Sequence, residues 1–321
     1  MPIERTRQVL HEKPWGMRDI SPWSAKPHDG ARIGEIIYER ESESTGAASL
    51  SLKLLFAEQP LSIQVHPNNA YALTIGLPSG KNEAWYVVEA AAGARIGVGL
   101  TQHLSRAQLR QAIEDGTIAD LLLWRSVSPG DSCFIPAGTI HAIGAGIVIA
   151  EMQQRVDVTF RLFDFGRGRD LHIEESLAVA QAEPAPGLFE QLRLSEVRNL
   201  LAVSPEFVFE RLDLPAGSQW CLNATGETWL LTLSGSATAG DLTMSPGDTI
   251  FVRDDILKLS TGDLGVVAVV GYAGPGPISN LLRRLNTDGA QMAEDPHQAQ
   301  VMACFARAVT AFTRPHGEGV A

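Results

Sequence analysis

Apolar and polar residues alternate with a period of two through the first part of the chain. Leu50, Leu52 and Leu54 fall on one side of a run whose other side carries Ser49, Ser51 and Lys53, which predicts a strand with two unlike faces. Ile33 to Tyr38 predicts a strand before it, and Lys13-Pro14-Trp15-Gly16 a turn leading into one. Leu61, Ile63 and Val65 then alternate with Ser62, Gln64 and His66. The polar side repeats three times here; an inward-facing barrel mouth and a solvent face account for it equally well. A loop or short helix starts at Asn68-Asn69-Ala70-Tyr71-Ala72. Beyond it Glu83, Trp85 and Val87 share a strand face, and β structure continues through Ile96 to Leu100.

The period changes after residue 101. Ser105 with Gln108 forms a capping-box pattern, and Leu109, Ala112 and Ile113 follow at helical spacing. Thr117 with Asp120 starts a second helical turn ending near Trp124, so a small helical insertion is predicted over 104–125. Strand alternation resumes with Ile147, Ile149, Glu151 and Gln153 on one face, then Asp157, Thr159 and Arg161 on another. Gly166 to Asp170 reads as a charged boundary, Ile173 to Ala180 as helical, and Pro184-Ala185-Pro186-Gly187 as a linker.

From about residue 188 the β pattern starts again, and it carries a repeat. Ser245-Pro246-Gly247-Asp248 copies Ser128-Pro129-Gly130-Asp131. Counting on from the turn, Arg253 takes the place of Pro136 and Lys258 that of His141. The second unit is therefore predicted to keep a barrel without a metal site. Near the end, Asp295 and Pro296 cap a helix whose apolar stripe is Val301, Cys304, Phe305, Ala308, Val309 and Phe312. The organisation expected is a metal-binding barrel over 1–170, a linker over 171–187, a second barrel over 188–275 and a helical tail over 277–321.

At 321 residues, with 45% hydrophobic and 20% charged residues, the chain suits a soluble globular protein with more than one core. A net charge of -11 without a basic block argues against a nucleic-acid partner. The three cysteines, Cys133, Cys221 and Cys304, lie far apart and make a poor disulfide framework, which fits a reducing cytoplasm. Met1-Pro2-Ile3-Glu4-Arg5 carries no apolar signal region, and no apolar run approaches about 18 residues, so no bilayer contact is expected.

Chemistry concentrates between Gln64 and Arg161. Gln64 and His66 are two apart and point to one side of a strand, Glu83 follows in Gly80-Lys81-Asn82-Glu83, and His141 ends Pro136-Ala137-Gly138-Thr139-Ile140-His141. Two imidazoles, a carboxylate and an amide oxygen form an N/O set that suits a divalent ion such as zinc. The run from Gly130 through Pro136 and Gly138 to His141 is similar to the second sequence motif of cupins.

Taken together, Lys13-Pro14-Trp15-Gly16, Leu61 to Pro67, Gly80 to Glu83, Pro136 to His141, and Glu151 through Asp157 to Arg161 resemble the type I mannose-6-phosphate isomerases in their short bacterial form. The resemblance implies a mainly β fold of two cupin-type (jelly-roll) barrels with a small helical insertion and a C-terminal helix. It implies one zinc ion held by Gln64, His66, Glu83 and His141. It further implies Arg161, Lys81 and Glu151 as catalytic residues, with the base open between Lys81, Glu151 and a metal-bound water. Lys53 and Trp15 would meet the substrate, a phosphorylated hexose. The reaction implied is interconversion of mannose 6-phosphate and fructose 6-phosphate through a cis-enediol. Two other classes stay open: an iron-dependent cupin oxygenase, against which the Gln-x-His pattern with Lys81 and Arg161 speaks, and a non-catalytic sugar-binding or regulatory cupin, against which the intact first-barrel constellation speaks. Asn68-Asn69 departs from the acidic residues common after His-Pro in the family, and Met17 stands where a second glycine is common.

Overall fold

The computed structural model describes residues 3–26, 28–41, 46–185 and 191–285. Its first half holds β1 (Ile3–Met17), β2 (Ile33–Arg40), β3 (Leu50–Ala57), β4 (Ile63–Val65), α1 (Asn69–Thr74), β5 (Glu83–Ala90) and β6 (Arg95–Leu100). There follow α2 (Arg106–Glu114), α3 (Ile118–Leu121), β7 (Leu122–Ser126), β8 (Ser132–Ile135), β9 (His141–Ile143), β10 (Ile147–Gln154), β11 (Phe160–Phe163) and α4 (Ile173–Val179). The second half holds β12 (Leu192–Arg193), β13 (Arg198–Val203), β14 (Phe207–Leu214), β15 (Gln219–Ala224), β16 (Thr228–Ala239), β17 (Leu242–Met244), β18 (Thr249–Val252), β19 (Asp255–Ala273) and β20 (Leu282–Arg284). The protein is mainly β, and no helix among the described residues is long and apolar enough to cross a membrane.

In the first barrel a sheet ordered β2-β3-β10-β5-β8 faces a second sheet ordered β11-β4-β9-β6-β7. The second barrel repeats the first of these orders as β13-β14-β19-β16-β18. β1 joins the two: Ile3 to Arg5 pair with β18, and Thr6 onward pairs with β2. Pro14 lies in β1 where the register with β2 shifts, between Glu12 and Met17, so its missing N–H costs no ladder bond.

The repeat read in the sequence is a structural repeat. Ser128 N donates to Asp131 Oδ2 at 2.8 Å and Ser245 N to Asp248 Oδ2 at 2.9 Å. Gly130 and Gly247 close these turns at φ of 99° and 87°, values only glycine adopts cheaply. The ladders that follow share one register: Glu83 pairs with Ile135 as Thr228 pairs with Val252. Gln153 pairs with Glu83 as Tyr272 pairs with Thr228, and Lys53 with Glu151 as Glu210 with Val270.

Leu50, Leu52 and Leu54 turn away from the first barrel's interior. With Ile36, Tyr38 and Met152 they pack against Leu201, Phe207, Phe209, Trp229 and Phe251 of the second barrel. The opposite face of β3, with Ser51 and Lys53, is therefore interior, which settles the polar face of β4 in favour of the barrel mouth. Ile63, Val65, Ile140 and Ala142 line the outer side of the other sheet, where α2, α3 and α4 cover them. Ser105 caps α2 by a complete capping box with Gln108.

The structure differs from the sequence reading at four places. Trp124 is not at a helix end: Leu122–Ser126 form β7, paired with β6. The helix read at Ile173 to Ala180 is present as α4, but the stretch expected as a linker also pairs back onto the first barrel, Gln181 bridging to Thr139 and Pro184 to Gly99. Of Asp157, Thr159 and Arg161 only Arg161 lies in a strand. The tail contains β20, and the expected helix at 295–312 lies outside the described residues.

Candidate metal centre and its cavity

β4 and β9 bring Gln64 and His141 face to face as ladder partners. His66 leaves the end of β4, and Glu83 opens β5. Glu83 Oε1 lies 3.2 Å from His141 Nε2, and Oε2 lies 3.3 Å from His66 Nε2. Both imidazoles donate Nδ1–H to backbone carbonyls, His66 to Val158 and His141 to Thr139, each at 2.8 Å. These bonds fix the tautomer and turn both Nε2 lone pairs toward the carboxylate. All three residues are buried, and the Glu83 oxygens face only the two Nε2 atoms and the Lys81 ammonium. Lone pairs of both imidazoles and the carboxylate thus converge, and the potential ligand atoms lie within 4.8 Å of one another. A buried array of this kind is costly unless a cation binds it. His66, Glu83 and His141 can hold a metal ion, and the Gln64 amide, 3.4 Å from His141 Nε2, stands beside them.

Lys81 is buried next to this cluster, its Nζ 3.0 Å from Glu83 Oε2 and 3.2 Å from His66 Nε2. Burial opposes its charge, but Glu83 and Glu151 outweigh that and raise its pKa. Burial likewise opposes ionisation of Glu83, yet the Lys81 ammonium beside it holds it well below the usual carboxylate range. Burial, aided by Lys81, pushes the His66 imidazole down to about 3, so it stays neutral, as a ligand must. For Glu151, burial and then the Glu83 charge raise the pKa against the pull of Lys81 and Lys53.

Gln64 and Lys81, which touch the cluster, also line a cavity of about 500 Å³, together with Lys13, Trp15, Glu35, Lys53, Glu151, Arg161 and Arg169, among others. Glu151 Oε1 accepts from Trp85 Nε1 at 3.0 Å, and its Oε2 lies 3.8 Å from Lys53 Nζ. Trp15 is buried in the cavity wall. Arg161 also lines it, half-buried, with Nη1 bonded to Asp170 O at 2.8 Å and Nε without a partner. Trp15, Lys53, Gln64, Lys81, Glu151 and Arg161 thus line one cavity, His66, Glu83 and His141 lie buried behind Gln64 and Lys81, and no hydrogen bond or ion pair among the described residues links Arg161 to that cluster. Sequence reading passed over Lys13 and Glu35, which face each other at 3.4 Å in the wall. The signal for Glu35 was present: it shares an alternating face with Ile33 and Ile37.

At the positions of Glu83, Glu151 and Gln153 the second barrel has Thr228, Val270 and Tyr272. Lys258 pairs with Cys221 as His141 pairs with Gln64, but Lys258 is exposed while Leu257 and Leu259 fill the interior.

Fold and site together define a cupin-type protein with a buried candidate metal centre beside a polar cavity. Comparison narrows the class: the chain is similar in sequence and in fold to mannose-6-phosphate isomerases. It is 43% identical over 165 residues to the mannose-6-phosphate isomerase of Streptococcus mutans, a match covering 49% of this chain and 52% of that protein. It is 39% identical over 144 residues to Mannose-6-phosphate isomerase ManA of Bacillus subtilis, covering 43% and 45%. The chain spans about half the length of the curated relatives it matches. The crystal structure of the mannose 6-phosphate isomerase from Bacillus subtilis superposes with a TM-score of 0.74 at 20% identity, covering 85% of this chain and all of that one. A mannose 6-phosphate isomerase structure described as holo and zinc bound gives 0.67 at 15% identity, over 85% of this chain. No protein-family model matches the chain.

Proposed function

We propose that the chain is a metal-dependent aldose–ketose isomerase that interconverts mannose 6-phosphate and fructose 6-phosphate. The observation that carries this reading is the buried His66–Glu83–His141 cluster, which Lys81 and Gln64 join to a cavity lined by lysines, arginines and carboxylates. Zinc is the ion proposed, held by Gln64, His66, Glu83 and His141; when bound it would supply a Lewis acid for the sugar oxygens.

Isomerisation takes a proton from C2 and returns it to C1, while negative charge develops on O1 and O2. Glu151 is the base we assign. Burial and the Glu83 charge raise its pKa, which makes it a stronger base, and Trp85 steadies one oxygen while the other lies near Lys53. Lys81, kept charged by Glu83 and Glu151, would stabilise the developing oxyanion rather than carry the proton. Arg161 would add a guanidinium that stays charged throughout. Lys53 and Trp15 would hold the sugar phosphate and ring. Residues 1–170 form the catalytic unit in this reading and 188–275 the companion barrel, in a cytoplasmic enzyme with two buried thiols, Cys133 and Cys221.

The test is a coupled assay with mannose 6-phosphate on metal-analysed protein. Turnover that follows zinc content is expected. Zinc-loaded protein without turnover, or iron-dependent oxygen uptake, would sink the assignment.

A further inference from the structure

Glu206 sits between β13 and β14, in the second barrel, and reaches across to the first. Its Oε1 accepts from Asn69 Nδ2 at 3.1 Å and its Oε2 from Asn82 Nδ2 at 2.8 Å. Each asparagine uses its own oxygen on a segment that carries the site. Asn69 Oδ1 accepts from Gly80 N at 2.8 Å, and Asn82 Oδ1 from Ala137 N at 2.7 Å. Asn82 lies between Lys81 and Glu83; Ala137 begins the turn that delivers His141. The same segments are tied to the backbone after β4: Lys81 N donates to Pro67 O at 3.0 Å and Gly138 N to His66 O at 2.8 Å. Gly80 allows this approach, because a Cβ there would lie 2.4 Å from the carbonyl carbon of Asn68. Glu206 is itself anchored: its backbone N–H donates to Ser204 Oγ at 3.2 Å, and its backbone carbonyl accepts from Gly274 N at 3.0 Å.

We propose that Glu206 is a positioning residue through which the second barrel holds the three ligand-bearing segments of the first in register. An ionised carboxylate only accepts, so it orients both amide groups with their NH₂ ends toward itself. Both Oδ1 atoms are thereby aimed at Gly80 N–H and Ala137 N–H. A metal site needs its ligands placed within about 0.5 Å, and this carboxylate fixes the segments that set His66, Glu83 and His141. The inference rests on reading that cluster as a metal centre.

The sharp variant is Glu206→Gln, nearly isosteric, which turns an NH₂ toward one of the asparagine donors and forces that amide to flip. The measurement is the rate at which the zinc-loaded full-length protein releases its ion to a chromophoric chelator, with kcat and KM alongside. Release about tenfold faster is expected, the lower end of what outer partners of metal ligands contribute. Adding Asn82→Asp to Glu206→Gln reverses donor and acceptor, because the new amide then donates to a carboxylate that still accepts from Ala137. The double variant is expected to recover slow release. Leu212→Ala, buried in the second barrel away from these bonds, controls for general loosening and is expected to release at the wild-type rate. An unchanged rate in Glu206→Gln, no recovery in the double variant, or equal acceleration in Leu212→Ala would overturn the proposal. Wild-type protein that takes up no zinc would overturn the reading of the centre itself, and this inference with it.

Discussion

Arg198 occupies in the second barrel the ladder position that Glu35 holds in the first. Glu35 pairs with Leu55 two residues from Lys53, and Arg198 pairs with Leu212 two residues from Glu210. The charges have changed places. Glu35 and Lys53 both line the open cavity, whereas Arg198 and Glu210 close on each other with two 2.8 Å hydrogen bonds, both fully buried. Tyr272 OH donates to Glu210 at 2.5 Å, and Ile278 O accepts from Arg198 at 2.9 Å. The interior that forms an open cavity in one barrel is sealed by a satisfied ion pair in the other.

Removing one member of that pair should be costly. Glu210→Ala is expected to destabilise the protein by about 3–5 kcal/mol, because Arg198 would be left buried and uncompensated. Replacing both, as Arg198→Met with Glu210→Leu, should cost much less. Urea unfolding of the two variants checks this; equal losses would show that the charges matter little.

His141→Ala should abolish stable metal binding, since one ligand of the buried set disappears and Gln64 loses the partner it faces. Elemental analysis after dialysis reads the result. A full complement of metal in this variant would remove His141 from the ligand set.

Glu151→Gln separates base from ligand. Turnover should fall by about 100- to 10,000-fold with metal content unchanged. Lys81→Met should also slow turnover, but only Glu151→Gln should erase exchange of the substrate C2 proton with solvent. Exchange that survives Glu151→Gln and vanishes in Lys81→Met would move the base to Lys81.

Arg161→Lys keeps the charge and loses the planar fork. If the guanidinium meets charge that exists mainly in the transition state, kcat should fall by about 100- to 1000-fold with little change in KM. A rise in KM alone would make Arg161 an anchor for the phosphate.

Acid should weaken the metal-free fold through His66. Its pKa is about 3 in the folded protein against an ordinary 6.5, because burial and Lys81 disfavour the imidazolium. The unfolded chain therefore takes up the proton first as pH falls. The stability is fully present above about pH 6.5 and is lost toward pH 3, at up to about 1.4 kcal/mol per pH unit for one group. Denaturant midpoints of metal-free protein, measured from neutral pH downward, should fall less steeply in His66→Gln than in the wild type. Parallel slopes would contradict this.

Much of the site was legible because each ligand lies in its own short motif and each strand face repeats every second residue. The capping box at Ser105 and Gln108 and the duplicated Ser-Pro-Gly-Asp turn are local, so they too could be read. What escaped is non-local or aperiodic. Leu121-Leu122-Leu123-Trp124 is apolar throughout, and only pairing with β6 makes its last residues a strand. β1 runs on through Pro14 because a register shift absorbs it. Lys258 is at the counted distance from its turn, but the parity of β19 places its neighbours inside. Glu206 is 124 residues from Asn82, and no pattern in either segment announces their contact.

β1 also sets an order of events. Ile3, Glu4 and Arg5 leave the ribosome ahead of every other strand described, yet their partners are Ile250, Phe251 and Val252. Every strand of the first barrel has emerged by Phe163, so most of that barrel can assemble while the start of β1 still waits. Closing so long a loop is slow relative to local pairing. The seam that joins the barrels is thus begun by the first strand and finished by one of the last, and until then β18 presents an open edge to any other nascent chain nearby.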